Sequence, residues 1–180
     1  MAFASIIGFK NKVTGIQRAS HFDVRVFFNK QNVNFNVDTF RFTCKSASIP
    51  SSTFGMIEVP FMGRKIKFAG DRNYQDWNTT VIVDTDWTSY KNIYEWHTRM
   101  NGPQTNTASS KYMNDFKGSA LVTAYAQDGT EAFNMTLLGF FPYDLQQLDM
   151  AWDSTDQTLD LNVTWAYDYA LMGDHHNMNG

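Results

Sequence analysis

Residues Phe40 to Val83 read FRFTCKSASIPSSTFGMIEVPFMGRKIKFAGDRNYQDWNTTVIV. Apolar and polar positions alternate at both ends, the pattern of strands that bury one face. A strand is predicted over Phe40 to Ala47, with Phe40, Phe42 and Cys44 on one side. Pro50 stops it, because proline offers no ladder donor. A second strand is predicted over Asp76 to Val83, where Asn78, Thr80 and Ile82 face away from Trp77, Thr79, Val81 and Val83. Between them, Ser51 to Gly63 reads as a long loop with an extended piece at Ile57 to Phe61. Met56, Ile57, Val59, Phe61 and Met62 make that loop too apolar to leave in water, and loops of such length commonly bind a partner. Lys65 to Ala69 alternates again, inside the basic run Arg64 to Arg72.

Upstream, His21 to Phe28 is a clear strand pattern. Asn29 to Asn32 supplies turn chemistry, and Val33, Phe35 and Val37 suggest a weak strand returning from it. Met1 to Ser20 keeps no period, yet its five large apolar residues suit an arm that docks on a neighbour.

Downstream, Asp86 is a fair N-cap for a helix. Trp87, Tyr90, Ile93, Tyr94, His97 and Met100 share its broad apolar face, and Gly102 and Pro103 end it. His97 on that face reads as a core or interface residue. Gln104 to Lys117 is a polar loop. Gly118 to Ala126 and Glu131 to Leu138 form a hairpin joined by Asp128-Gly129, the composition of a type I′ turn. Gly139-Phe140-Phe141-Pro142 breaks the second strand. Leu148, Met150 and Trp152 alternate with Asp149 and Ala151, and Leu159 to Tyr169 makes one long strand. The fold class is therefore mainly β, an antiparallel barrel or sandwich of about eight strands with one flanking α-helix. The expected organisation is an N-terminal arm over 1–20, a β domain over 21–170 and a flexible tail over 171–180.

At 180 residues the chain suits one domain, and 43% hydrophobic with 16% aromatic residues suffices for a core. A net charge of −3 argues against gripping nucleic acid through its phosphates. The single cysteine, Cys44, reads as a small buried residue rather than a nucleophile. No basic-then-apolar leader and no apolar run of membrane-spanning length are apparent, so the expectation is a protein made in a cytoplasm without membrane insertion.

Chemistry is hard to find. Asp84 and Asp86 sit where a cap and a turn explain them better than a cation. His175 and His176 lack a third ligand nearby. Asp71 and Arg72 beside Lys65 and Lys67 lack the glycine spacing of a phosphate cradle. No G-x-S-x-G occurs. These readings point to a structural or binding protein without catalytic residues, cofactor or metal.

Cys44-Lys45 with Pro50, then Phe61-Met62-Gly63-Arg64-Lys65-Ile66-Lys67-Phe68-Ala69-Gly70-Asp71-Arg72, then Asp76-Trp77, resembles a pattern of the tail tube proteins of contractile-tailed T4-like bacteriophages. Weaker likeness continues at Lys117 to Ala120, Tyr125-Ala126 and Leu148 to Ser154. The resemblance implies stacked hexameric rings forming a tube inside a contractile sheath, a fold shared with type VI secretion tubes, and no enzyme activity. It implies as partners other copies of the chain, the tail sheath protein, baseplate tube-initiating proteins and a tail terminator. DNA would pass through the lumen without sequence-specific binding, and the protein would be a virion component assembled in the host cytoplasm. Alternatives are a baseplate tube-initiator, a secretion-system ring protein, or a small β-barrel ligand-binding module.

Interface candidates are Ile7 and Phe9 in the arm, Phe54, Met56, Ile57, Val59, Phe61 and Met62 in the apolar loop, and Arg64, Lys65, Asp71 and Arg72 beside it. Asp71 is expected to pair with Arg72 or Lys65. Lumen-lining candidates are the short polar residues Asn134, Thr136, Asp160, Asn162 and Thr164, with Phe133, Met135, Leu161, Val163 and Trp165 packing the core behind them. The helix would lie on the outer surface, facing sheath or covering core.

Overall fold

The computed structural model describes residues 15–28, 37–153, 155 and 157–173. In chain order the elements are β1 (Phe22–Phe28), α1 (Val37–Thr43), β2 (Cys44–Ala47), β3 (Ser52–Phe61), β4 (Arg64–Tyr74), β5 (Trp77–Ile82), α2 (Thr88–Met100), β6 (Gly118–Tyr125), β7 (Glu131–Leu145), β8 (Asp160–Ala166) and β9 (Tyr169–Met172), with a 3-10 turn at Met113–Asp115. Seven strands form one antiparallel sheet in the order β1-β6-β7-β8-β5-β2, with β9 also on β7. β3 and β4 form a separate two-stranded ribbon. No described helix is long and apolar enough to cross a membrane.

An aromatic cluster fills the core. Phe140 stacks on Trp165 at 4.4 Å between ring centroids, and Trp77, Trp96 and Phe40 pack around that pair. The indole N–H groups still find acceptors: Trp165 donates to Thr79 Oγ1 and Trp96 to the Phe116 carbonyl, both at 2.8 Å. Buried polar edges without such partners would be costly.

Four local expectations change. First, the strand predicted from Phe40 begins as a helix, α1, and only Cys44–Ala47 is strand. Residues two apart on a helix point nearly opposite ways, so Phe40 enters the core while Phe42 is 79% exposed. Val37, expected in a returning strand, starts α1. Tertiary contacts fix the helix: Arg41 donates to Asp23 at 2.7 Å, and Phe40 meets Trp165 edge-on.

Second, Ser51 to Gly63 is no loop, because Ser52–Phe61 is a ten-residue strand. Third, Gly139 to Pro142 does not end a strand, since β7 runs through it for fifteen residues. Gly139 takes φ 68, a conformation glycine adopts without steric cost, and the register shifts on either side of the bend. β7 thereby pairs with β6 and β9 along one half and with β8 along the other. Fourth, Leu159 to Tyr169 divides at Tyr167-Asp168 into β8 and β9, which follow β7 around the same corner. β9 reaches Met172, inside the expected tail.

Smaller corrections concern the turns and α2. At Asp128-Gly129 only the glycine has positive φ, so the hairpin is not type I′. Asp128 Oδ1 instead accepts from the Thr130 N–H and hydroxyl. Asp86 does not cap α2. The Asp84 carboxylate accepts the Ser89 N–H at 3.3 Å, while Trp87 takes the left-handed position before the helix. α2 covers the core through Ile93 and Trp96, and His97 is exposed rather than in the core. Leu148 to Trp152 forms no strand, and Met150 and Trp152 stand in solvent.

Candidate functional site

Two surfaces carry the candidates. The first is the β3–β4 ribbon, whose pairing runs from Ser52↔Tyr74 to Phe61↔Arg64. Met62 and Gly63 join the strands with φ 46 and 79, the doubly left-handed conformation of a type I′ turn. The register gives the ribbon two unlike faces, because side chains alternate. Ile57, Val59 and Phe61 oppose Phe68, Ile66 and Arg64 on one face. Met56, Glu58 and Pro60 oppose Ala69, Lys67 and Lys65 on the other. One face is thus nearly all apolar and the other carries charge, with Lys65 bonded to Glu58 at 2.7 Å.

Every residue of β3 is exposed, and Ile57, Val59, Phe61, Ile66 and Phe68 are each 45% exposed or more. An isolated two-stranded hairpin is marginal in water, and a large exposed apolar face marks an interaction site. At the root, Gln75 N–H donates to the Ser51 carbonyl at 3.0 Å, and the Tyr74 and Tyr167 rings pack at 5.7 Å. Above it a register shift sets Gly55 against Gly70, where a Cβ on Gly70 would lie 3.1 Å from the Gly55 carbonyl oxygen.

The ribbon gathers Phe54, Met56, Ile57, Val59, Phe61, Met62, Arg64, Lys65, Asp71 and Arg72. Ile7 and Phe9, with the rest of the arm up to residue 14, fall outside the described residues, as do Val33, Phe35, His175 and His176. The expected Asp71 pairing does not form. Lys65 takes Glu58, and the Arg72 guanidinium sits 4.7 Å from the centre of the Phe54 ring. That exchange follows from register, which places Arg72 opposite Phe54 and Lys65 two residues from Glu58 across the ribbon.

The second surface is the face of β2, β5 and β8 turned away from the core. Leu161, Val163 and Trp165 are buried, so Asp160, Asn162 and Thr164 point the other way. Their neighbours across the sheet are Ile82, Thr80 and Asn78. Thr80 donates to Asn162 Oδ1 at 2.8 Å, and Thr164 donates to Asn78 Oδ1 at 2.9 Å. Lys45 pairs with Asp160 and holds its carboxyl below the ordinary carboxylate range, with further help from the Thr158 hydroxyl against a burial effect that pushes upward. The result is a ladder of short side chains that satisfy one another.

Asn134 and Thr136 lie on the other half of the sheet. Their rows run to Thr123 and Asp23, and to Leu121 and Arg25. Asp23 there is nearly buried between Arg25 and Arg41. The structure thus separates Asn134 and Thr136 from Asp160, Asn162 and Thr164 by the β7 bend. Phe133 and Met135 are half-buried and stand outside the core cluster, which takes Leu137 from this strand instead. Asn78 and Thr80 were legible as an outward face of β5 but not as partners of Asn162 and Thr164.

A groove of about 280 Å³ lies at the ribbon root, between Ser51, Arg72, Met135 and Leu171. It is open and lacks convergent polar groups, unlike a ligand site. Among the described residues no His, Cys, Asp and Glu cluster has metal-binding geometry. The Cys44 thiol is pushed up to about 12 by burial, with the Asp23 charge adding to the shift. A thiol that resists ionisation is a poor nucleophile.

A family model described as phage tail tube protein matches residues 17–172. Tail tube protein gp19 of Enterobacteria phage T4 is 32% identical over 153 residues, spanning 84% of this chain and 89% of that protein. Its counterpart from Enterobacteria phage T6 has the same identity and coverage. Among solved structures, a chain of the anti-feeding prophage baseplate superposes with a TM-score of 0.64 at 15% identity, covering 88% of this chain and 96% of its own.

Proposed function

The chain belongs to the phage tail tube protein family, and from that premise we propose how it builds the tube. It is a structural subunit of a contractile phage tail, and so a component of the virion. Copies assemble as rings that stack, most simply as hexamers, around a channel through which DNA leaves. Its proposed partners are a surrounding sheath, tube-initiating proteins at the baseplate and a terminator at the far end.

One observation carries this reading: the β3–β4 ribbon presents a full apolar face that its own sheet does not cover. A neighbouring subunit is the natural cover. Burying Ile57, Val59, Phe61, Ile66 and Phe68 would contribute about 1 kcal/mol or more each. The N-terminal arm, Ile7 and Phe9 included, belongs to the same proposal as a second contact between subunits, and the division into arm (1–20), β domain (21–170) and tail (171–180) goes with it.

For the lumen we favour the Asp160, Asn162 and Thr164 face, widened by Asn78 and Thr80. Its side chains are short and bonded to each other, and its Asp160 carboxylate is paired with Lys45, so a passing phosphate chain finds little free charge to hold. Asn134 and Thr136 fit that role less well, since Arg25 lies in the row of Thr136 and the nearly buried Asp23 in that of Asn134.

Replacing Thr53 to Asn73 by a short Gly-Ser turn tests the ribbon. Ser51 and Gln75 are already hydrogen-bonded, so the ends close without strain. The variant should remain folded by circular dichroism and form no tubes in negative-stain micrographs. Normal tubes from it would refute the role of the ribbon.

A further inference from the structure

All fifteen Lys and Arg residues lie in residues 1–117, whereas residues 118–180 contain nine acidic residues and none of either base. The fold turns this asymmetry into a direction. β5 starts at Trp77, just after the ribbon, and ends at Ile82; β8 runs back from Asp160, paired with Ile82, to Trp165, paired with Trp77. The ribbon therefore leaves one end of these strands. The connection from Leu145 to Asp160 lies at the other end, about six residues or 20 Å away.

The two ends are opposite in character. The ribbon carries Arg64, Lys65, Lys67 and Arg72 against Glu58 and Asp71, beside its apolar face. The connection has no basic residue, and it exposes Asp149 and Asp153 together with Met150 and Trp152, with exposed Asp144 just before it at the end of β7. Leu148 to Asp153 also alternates apolar and polar like a strand, yet joins no sheet among the described residues. The ribbon has the complementary deficiency. Among the described residues it is two strands wide with no strand on either outer edge, and a third strand would stabilise such a ribbon.

We propose that the ribbon of one subunit docks on the Asp144 to Asp153 surface of the next copy along the tube. This rests on the tube reading above. The contact is head-to-tail, the type that propagates into a filament rather than closing as a two-fold pair. Trp152 and Met150 meet the apolar ribbon face, and Asp149 and Asp153 meet Lys65 and Lys67 on the other. Opposite charge at the two ends also opposes head-to-head stacking.

Charge reversal at each end tests it. Lys65→Glu with Lys67→Glu, and separately Asp149→Lys with Asp153→Lys, should each lower the sedimentable tube fraction at least about tenfold at low salt. The four-residue combination should recover most of it, since both ends have exchanged sign. A zero-length carbodiimide applied to wild-type tubes gives a readout independent of how variants fold. Lys65 or Lys67 should join Asp144, Asp149 or Asp153 of another copy, as read by mass spectrometry. Wild-type tubes whose ribbon lysines cross-link elsewhere, or acidic-end variants that assemble normally, overturn the docking while leaving the tube reading intact. Wild-type protein that forms neither ring nor filament overturns the tube reading and this inference with it.

Discussion

Phe140 and Trp165 show how few side chains hold the core together. They stack at 4.4 Å, and Trp77, Trp96 and Phe40 close around them. Phe140→Ala should lower stability by about 3–5 kcal/mol in urea titration, because neighbours fixed on separate strands and helices cannot collapse into the void. Asp160 gives a residue-scale pH effect. Lys45 depresses its folded pKa, so the stabilisation is present above the unfolded carboxylate value of about 4 and is lost as pH falls through the folded value. The pair is largely exposed, so Lys45→Met should cost no more than about 1 kcal/mol at neutral pH. The difference from wild type should vanish at the acid end of a pH series of thermal melts. Cys44 behaves oppositely. With its thiol held near 12, native protein at pH 8 should react with iodoacetamide far more slowly than urea-unfolded protein.

Elements decide what the residues can reach. α1 replaces a strand that periodicity supports, because a short alternating run contains too little information to choose its period. Phe40 in the core, Phe42 outside and Arg41 on Asp23 together satisfy the helical choice. In the ribbon, alternation was present throughout: Ile57, Val59 and Phe61 against Glu58 and Pro60, then Ile66 and Phe68 against Lys65 and Lys67. Local pattern alone does not separate Ser51 to Gly63 from a loop, because Gly55 and Pro60 interrupt it and Met62-Gly63 is an atypical turn pair. Met62 takes φ 46, where asparagine is far more at ease. Met62→Asn should therefore stabilise the ribbon by about 0.5–1 kcal/mol. Amide hydrogen exchange between Ser52 and Tyr74 should slow, and unchanged or faster exchange would contradict the turn assignment.

At the scale of the whole molecule, one continuous sheet folds over itself at Gly139 and carries unlike surfaces on its parts. The polar ladder of β5 and β8 has a satisfied face whose Asp160 carboxylate is paired with Lys45, while the ribbon projects with apolar and basic faces exposed. In the proposed tube the first surface would serve as a non-adhesive wall and the second as a cohesive joint. If both assignments hold, Asn162→Arg with Thr164→Arg should leave tube formation intact in micrographs and bind DNA inside or at the ends of tubes. Failure to assemble would instead place that face in a subunit contact. Polymerisation should weaken as salt rises, since charged rims are screened within about 10 Å at 0.1 M.

The sequence by itself determined the class of the fold, the family, most strands outside α1 and the chemical character of each surface. Those depend on local alternation, on glycine and proline punctuation, and on a spaced set of residues around Arg64 to Arg72. Tertiary structure alone decided that Phe40 heads a helix, that β7 bends rather than ends, and that the apolar loop is a ribbon. Each depends on partners distant in the chain: Trp165 for Phe40, Asp168 beside Gly139, and Phe68 across from Ile57. Pairing across such distances is set by which surfaces the whole chain can bury together, and local pattern contains no record of it.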